Sequence, residues 1–229
     1  MNLALVLVLA AAPATQSWNF DTSATPKVSV ANVNGSVRVE ATDAKSVSVE
    51  AKQEGSEEER AKFPLEVKKD GDEISVRLCC GGSCSNKSMN CKNPVPTHFV
   101  LKVPRTTALE VSVVNAEVKT SGIAGTQDVS VVNGEVSLKG SRGPLEISAV
   151  NGSVELAPEA LADTEVSTVS GAVKLKLPRG AGANVDFSSV GGRFNGREVN
   201  LGSTEQRYGN GEHDVDVSTV SGSLDVQAE

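Results

Sequence analysis

The sequence predicts an all-β protein, a parallel β-solenoid of stacked 18–21-residue coils with an N-terminal β-hairpin elaboration. An antiparallel β meander is the alternative. Three observations lead there. The first is an internal repeat of the form Val-(Asn/Ser/Gly)-Gly-x-hydrophobic. It reads Val132-Asn133-Gly134-Glu135-Val136, Val150-Asn151-Gly152-Ser153-Val154 and Val169-Ser170-Gly171-Ala172-Val173, then Val190-Gly191-Gly192-Arg193-Phe194 and Val220-Ser221-Gly222-Ser223-Leu224. Val114-Asn115-Ala116-Glu117-Val118 precedes them with Ala in the Gly slot, and Val33-Asn34-Gly35-Ser36-Val37 stands alone near the start. From Val114 the corner valines are 18, 18, 19, 21 and 30 residues apart, and so short a period marks a repeat architecture. The second observation is composition. The chain is 38% hydrophobic but only 3% aromatic, so its core is aliphatic and rich in Val, which suits a pleated surface. The third is phase: Val111, Val129, Ile147, Val166, Phe187 and Val217 lie three before the corner valine, and Val118, Val136, Val154, Val173, Phe194 and Leu224 lie four after it. Polar residues fall between, giving period-2 alternation on both arms of a bend.

Along the chain, residues 3–12 form an apolar run of ten, too short to span a bilayer and suited to a secretory signal. Ala12-Pro13-Ala14 supplies small residues for cleavage, so residues 1–14 read as a signal peptide and the mature chain starts near Thr15. No Cys follows the apolar run as a lipid anchor, and no later segment is apolar enough to cross a membrane. Residues 15–104 read as an N-terminal β region. Strands fall at Val28-Ser29-Val30, Val37-Arg38-Val39 and Val47-Ser48-Val49; Glu57, Glu58 and Glu59 suggest a short helix or loop before Pro64. Asp70-Gly71 between alternating runs is a hairpin signal. His98 to Val103 resumes the strand character and Pro104 ends it. Residues 105–229 are the repeat, continuous with the first region as one domain.

The identity of each position persists from unit to unit, which favours coils stacking like on like. Ala116 resists the positive φ that a type I′ hairpin would demand, which argues against the meander. In a stack Asn115, Asn133 and Asn151 form a ladder of side-chain amides. The corner valines are expected to point inward. One coil buries about six aliphatic side chains at roughly 1.5–3 kcal/mol for each large one, while ordering its backbone costs about 1–2 kcal/mol per residue. A lone coil therefore fails, and several must stack.

Cys79, Cys80, Cys84 and Cys91 lie within thirteen residues. With an export signal, four cysteines indicate two disulfides. Adjacent cysteines rarely bond each other, so Cys79 and Cys80 each pair with Cys84 or Cys91, in either combination. Their spacing does not match a paired zinc site.

The stretch Val103-Pro104, Leu109 to Asn115 and the Val-Asn-Gly and Val-Ser-Gly copies resemble the bacterial putative-adhesin family of unknown function, grouped with toast-rack-like β-repeat domains. The run from Gly209 to Leu224 is similar to that family's last coil. The resemblance covers residues 18–228 and implies an exported or envelope-associated protein, a right-handed stacked-strand fold and no assigned catalysis. The cysteine segment lies outside the family pattern.

Little else points to chemistry. The net charge of −7, without a basic stripe, disfavours nucleic acid. His98 and His213 are the only histidines, and neither has a nucleophile motif beside it. Asn210, Glu212, Asp214 and Asp216 are rich in oxygen but follow no calcium-loop order. Gly191-Gly192 with Gly196 lacks the context of a phosphate loop. Only Trp18 and Tyr208 are large polar-tipped aromatics, too few for a sugar platform, so a polysaccharide-active enzyme is the weakest of the alternatives. The reading is a non-enzymatic, exported envelope or surface scaffold without a metal or cofactor. It contacts an unidentified envelope protein or surface ligand, with an envelope-stress sensor module as the alternative. Residues 18–104 are expected to cover one end of the stack. The other end, expected near Val226, would support weak self-association.

Overall fold

The computed structural model describes residues 13–84 and 91–228. The apolar run of the expected signal peptide, residues 3–12, lies outside the described residues. Among the described residues, period-2 alternation yields fifteen strands in one sheet, with one short helix. The strands are β1 (Ala14–Asp21), β2 (Lys27–Thr42), β3 (Ser46–Gln53), β4 (Leu65–Asp70), β5 (Glu73–Leu78), β6 (Thr97–Pro104), β7 (Ala108–Ser121) and β8 (Gln127–Asn133). They continue as β9 (Val136–Lys139), β10 (Leu145–Asn151), β11 (Val154–Ala157), β12 (Thr164–Leu177), β13 (Ala183–Phe194), β14 (Arg197–Tyr208) and β15 (His213–Ala228). The helix α1 (Glu57–Ala61) falls on the acidic stretch, where Ser56 and Glu59 form a capping box that satisfies free N–H groups of the first turn.

The repeat strands pair in parallel, which answers the meander alternative for this region. Val111 stands beside Val129, Val129 beside Ile147 and Ile147 beside Val166. Beyond the corner, Val118, Val136, Val154 and Val173 form a second column. Each rung is one bent strand or a pair such as β8–β9, and the two arms enclose one aliphatic core. The rung from Leu145 to Leu161 buries Leu145, Ile147, Ala149, Val154, Leu156 and Leu161. Strand β2 pairs with β7 along both arms, so the N-terminal region shares this core.

Spatial order departs from chain order at the far end. Strand β12 pairs with β15, not with β13: Val166 stands beside Val217, and Ser170 beside Ser221. Strand β13 lies outside β15, with Phe187 beside Val217, and β14 folds back antiparallel on it. After β12 the chain therefore skips a slot, forms the β13–β14 hairpin, and returns to fill the slot with β15. This corrects the expected end at Val226 for the first arm, whose outer edge belongs to β14. On the second arm β13 covers β15 only as far as Phe194 beside Leu224, so Val226, beside Leu175, does lie at the end of that arm, where its N–H donates to Asn195 Oδ1 at 2.8 Å.

The near end is built differently. Strands β5 and β6 pair in parallel with the first and second arms of β2 and so form one split rung. Strand β6 is covered by antiparallel β3, and β3 by β1. Between Val76 and Phe99 the cysteine segment replaces the corner of this rung.

Candidate functional site

Alternation decides what the corners present. Val111 and Val113 are two apart and both buried, so Val114 falls on the opposite face. The corner valines therefore point outward, which corrects the inward expectation. Val132, Val150, Val169, Val220 and Val190 are 40, 39, 44, 48 and 53% exposed. They occupy equivalent positions on successive rungs, about 4.8 Å apart. Leu201, 83% exposed, extends the row, since it stands between the β14 residues paired with Ser189 and Gly191.

Two residues before each valine comes Ser112, Ser130, Ser148, Ser167, Ser218 or Ser188. Between the two rows lies a floor of Val113, Val131, Ala149, Thr168, Thr219 and Ser189. Together they form an open groove along the stack. Its first part, from Ser112 to Val169, has a volume of about 470 Å³, and its second, from Ser167 to Val220 with Leu201, about 640 Å³. The floor becomes smaller and more polar along the way. Thr168 donates to Thr219 at 2.9 Å, while the buried Ser189 hydroxyl has no partner among the described residues.

Four residues before each valine stands a carboxylate. The in-register row is Glu110, Asp128, Glu146, Glu165, Asp216 and Asp186, continued by Glu205 on β14. Lys27 lies 3.5 Å from Glu110 and 3.8 Å from Glu73, but no other member of the row has a basic partner among the described ion pairs. Desolvation first, then the charges of Asp186, Asp214 and Glu165, hold the Asp216 carboxyl above the usual carboxylate range. The opposite arm is mixed: Lys119 pairs with Glu117, and Lys139 and Lys176 share Glu155. The carboxyl of Glu155 is held low, chiefly by the hydrogen bond from Lys176.

On the other side of the valine row runs the asparagine ladder. Asn133 Nδ2 donates to Asn115 Oδ1 at 2.9 Å and Asn151 Nδ2 to Asn133 Oδ1 at 3.1 Å; Ser170 then donates to Asn151 Oδ1 at 2.7 Å. Asn34, in register with Asn115, instead donates to Pro94 O of the cysteine segment. Described residues of that segment, Cys80 and Cys91, pack at the Val114 end of the groove. Cys79 is bonded to Cys84 and Cys80 to Cys91, with Cα separations of 4.9 and 5.3 Å. A small cluster of Val33, Phe63, Leu78 and Val95 packs beneath it, with Cys80, Cys91 and Val114 against its rim. The first corner valine, Val33, is consequently 4% exposed.

The remaining candidates do not converge. His98 Nδ1 lies 2.9 Å from Ser36 Oγ and its Nε2 3.3 Å from Glu54 Oε1, a Ser–His–Glu sequence that repetition alone would not reveal. The three stand on an outer strand face, with the His98 and Glu54 side chains 36% and 52% exposed, so a substrate there would remain in bulk water. His213 faces Asp163 at 3.8 Å. Asn210 donates to Glu212 at 3.3 Å, and Asn184 to Asp214 at 3.3 Å. Among the described residues no group of three or more His, Cys, Asp or Glu is placed to hold a metal ion. Gly191 and Gly192 lie at the corner of β13, and Asn195-Gly196 makes the turn into β14, both with positive φ. Trp18 and Tyr208 pack against opposite ends of the core.

In-register bent strands around an aliphatic core, with an open groove along the corners, define a β-repeat domain. The chain belongs to the Toastrack DUF4097 family, whose model matches residues 105–227, more than half of its length. The fold is also that of a solved structure of a putative cell adhesion protein from Clostridium sporogenes. That protein is 12% identical, with a TM-score of 0.56, and the match covers 95% of this chain and 100% of the other. A putative adhesin from Parabacteroides merdae matches over 95% of this chain and 96% of its own, at 7% identity and a TM-score of 0.27. No curated protein matches the chain significantly. Among the described residues no helix is long and apolar enough to cross a membrane.

Proposed function

We propose that this protein is a non-enzymatic, exported component of the bacterial envelope or surface, and that its stack is a right-handed β-solenoid serving as a contact scaffold. The observation that carries the reading is the groove: a row of exposed valines kept in register over five rungs, with no need of core packing to explain it. Contiguous apolar surface of this kind marks a place of contact. The apolar run at residues 3–12 and the two cysteine pairs support export, since disulfides persist in oxidising compartments. The parallel steps of 18, 18 and 19 residues support the solenoid.

Fractionation of cells carrying the full chain and a chain starting at Thr15 tests export. The full chain should leave the cytoplasm and lose residues 1–14, and the shortened chain should stay. Intact mass of the exported protein should rise by about 4 Da on reduction, as two disulfides require. A cytoplasmic full-length product with free thiols would overturn the reading.

A further inference from the structure

We propose that the valine groove and the carboxylate row beside it form one docking strip for a cationic amphipathic α-helix of another protein. The inference rests on the contact-scaffold reading above and names the chemistry of its partner.

Charge selects the partner first. Asp128, Glu146, Glu165, Asp216, Asp186 and Glu205 run in register with no basic partner among the described ion pairs. A like-charge row repels itself at each rung, and a basic side chain laid over it relieves the repulsion. The same row repels anionic lipid headgroups. It also repels a second copy of this chain, whose net charge is −7.

Geometry selects a helix. From β7 to β13 the backbone under the groove is hydrogen-bonded to strands on either side, so along its length the groove offers an extended peptide no strand edge; only β14, at the far end, is unpaired on one side. The groove's polar lining is the row of side-chain hydroxyls at Ser112, Ser130, Ser148, Ser167, Ser188 and Ser218. The valine and carboxylate rows are four residues apart along each strand, about 13 Å. A helix about 10–12 Å across fits between them, with its apolar flank on Val132, Val150, Val169 and Val220 and its basic flank over the carboxylates. Its pitch of about 5.4 Å is close to the rung spacing of about 4.8 Å, so about 16 residues would follow six rungs. At the near end Cys80, Cys91 and Val114 pack against the Val33 cluster, so the exposed valine row begins at Val132.

The test uses the exported, oxidised protein and a fluorescent Leu/Lys peptide of about 18 residues designed to be an amphipathic helix. Anisotropy should report saturable binding. Affinity should fall about tenfold or more for E146K with E165K, and likewise for V150S with V169S, whose side chains are exposed and leave the core intact. The E117K with E135K variant, an equal charge change on the other arm, should bind as the parent does. Thermal melts verify that each variant is folded. A Lys/Ser peptide of equal charge and anionic phosphatidylglycerol vesicles should not compete. Absence of saturable binding would overturn the proposal. So would equal weakening by E117K with E135K, full affinity in the valine variant, or displacement by the vesicles. An exported protein with both disulfides that ignores the peptide would overturn the docking strip and leave the scaffold reading intact.

Discussion

The two ends of the stack solve the same problem in opposite ways. Both must hide the unpaired edge of a parallel array. The near end adds layers outside the stack: β6 is covered by antiparallel β3 and then β1, and Lys27 neutralises the first carboxylate of the acidic row. At the far end the last strand, β15, slides inside β13, and β14 closes the edge with charged Arg197, Glu198, Glu205 and Arg207. The near end is thus an accessory to rungs already complete. The far end is completed only when the C-terminal segment arrives, so its stability depends on residues farthest along the chain.

Truncation should separate the two most sharply. Removing residues 209–229 takes out an interior rung and uncovers β12 and β13 together. Val215, Val217, Leu224 and Val226 leave the core, at roughly 1.5–3 kcal/mol for each large side chain. The loss exceeds about 6 kcal/mol, a large part of the total stability of an ordinary domain. We expect loss of the cooperative melt, with hydrogen exchange first collapsing across β12 and β13. Removing residues 1–21 strips only the outermost strand, and a lower melting temperature with the same far-end protection is expected. Similar exchange patterns for the two truncations would show that the ends are equivalent after all.

A smaller effect separates the glycine slot of a corner from the slot before it, in the middle of the stack and at the far end alike: a Cβ on Gly192, the far-end counterpart of Gly152, would also crowd the next rung at Gly222 O. Gly152 has a φ of +154°, and a Cβ there would overlap the carbonyl oxygen of Gly134 on the next rung. Gly152→Ala should cost about 2–4 kcal/mol in denaturant melts. Gly191 occupies the slot that Asn151 fills in the middle of the stack; its Cβ would lie 4.0 Å from Asn200 Oδ1, with nothing nearer, and Gly191→Ala should stay within about 0.5 kcal/mol. Equal costs at both positions would mean that rung-to-rung contact does not set the glycine requirement.

What the sequence made legible follows the same division. The rungs with Val114, Val132, Val150 and Val169 repeat at 18–19 residues, and phase alone places their inward columns and the asparagine ladder. At the far end, spacing along the chain does not give spatial order. A better signal was present: Ser167-Thr168-Val169-Ser170-Gly171 recurs unchanged at Ser218-Thr219-Val220-Ser221-Gly222, as expected when like stacks on like. The groove is hidden in the sequence for a different reason. Residue type places the corner valines inward, whereas alternation from Val111 and Val113 puts Val114 on the opposite face. The carboxylate row was visible only as scattered outward residues, because in-register charge emerges once rungs are ordered. The near end resisted reading because β5 and β6 form one rung around an insertion, which no local pattern announces.

The smallest effect concerns charge, and it too differs between the ends. Lys27 offsets Glu110 and Glu73 at the near end, whereas Asp216 is crowded by Asp186, Asp214 and Glu165. A carboxyl held above its unfolded value binds more protons folded than unfolded. Stability therefore falls as pH rises through the window between the two values, and the penalty is complete above the folded one. Asp216→Asn removes it. At neutral pH and low salt the melting temperature should rise by about 1 °C, a modest figure because solvent screens an exposed side chain. The gain should shrink as the pH is lowered through the carboxylate range and vanish once Asp216 is protonated in both states. Salt at about 1 M, where the screening length is about 3 Å, should remove the part that Asp186, Asp214 and Glu165 contribute. Lys27→Met should act in the opposite direction, lowering the melting temperature by a similar amount at neutral pH. A gain from Asp216→Asn that persists unchanged in acid would mean that packing, and not the unopposed row, distinguishes the far end from the near one.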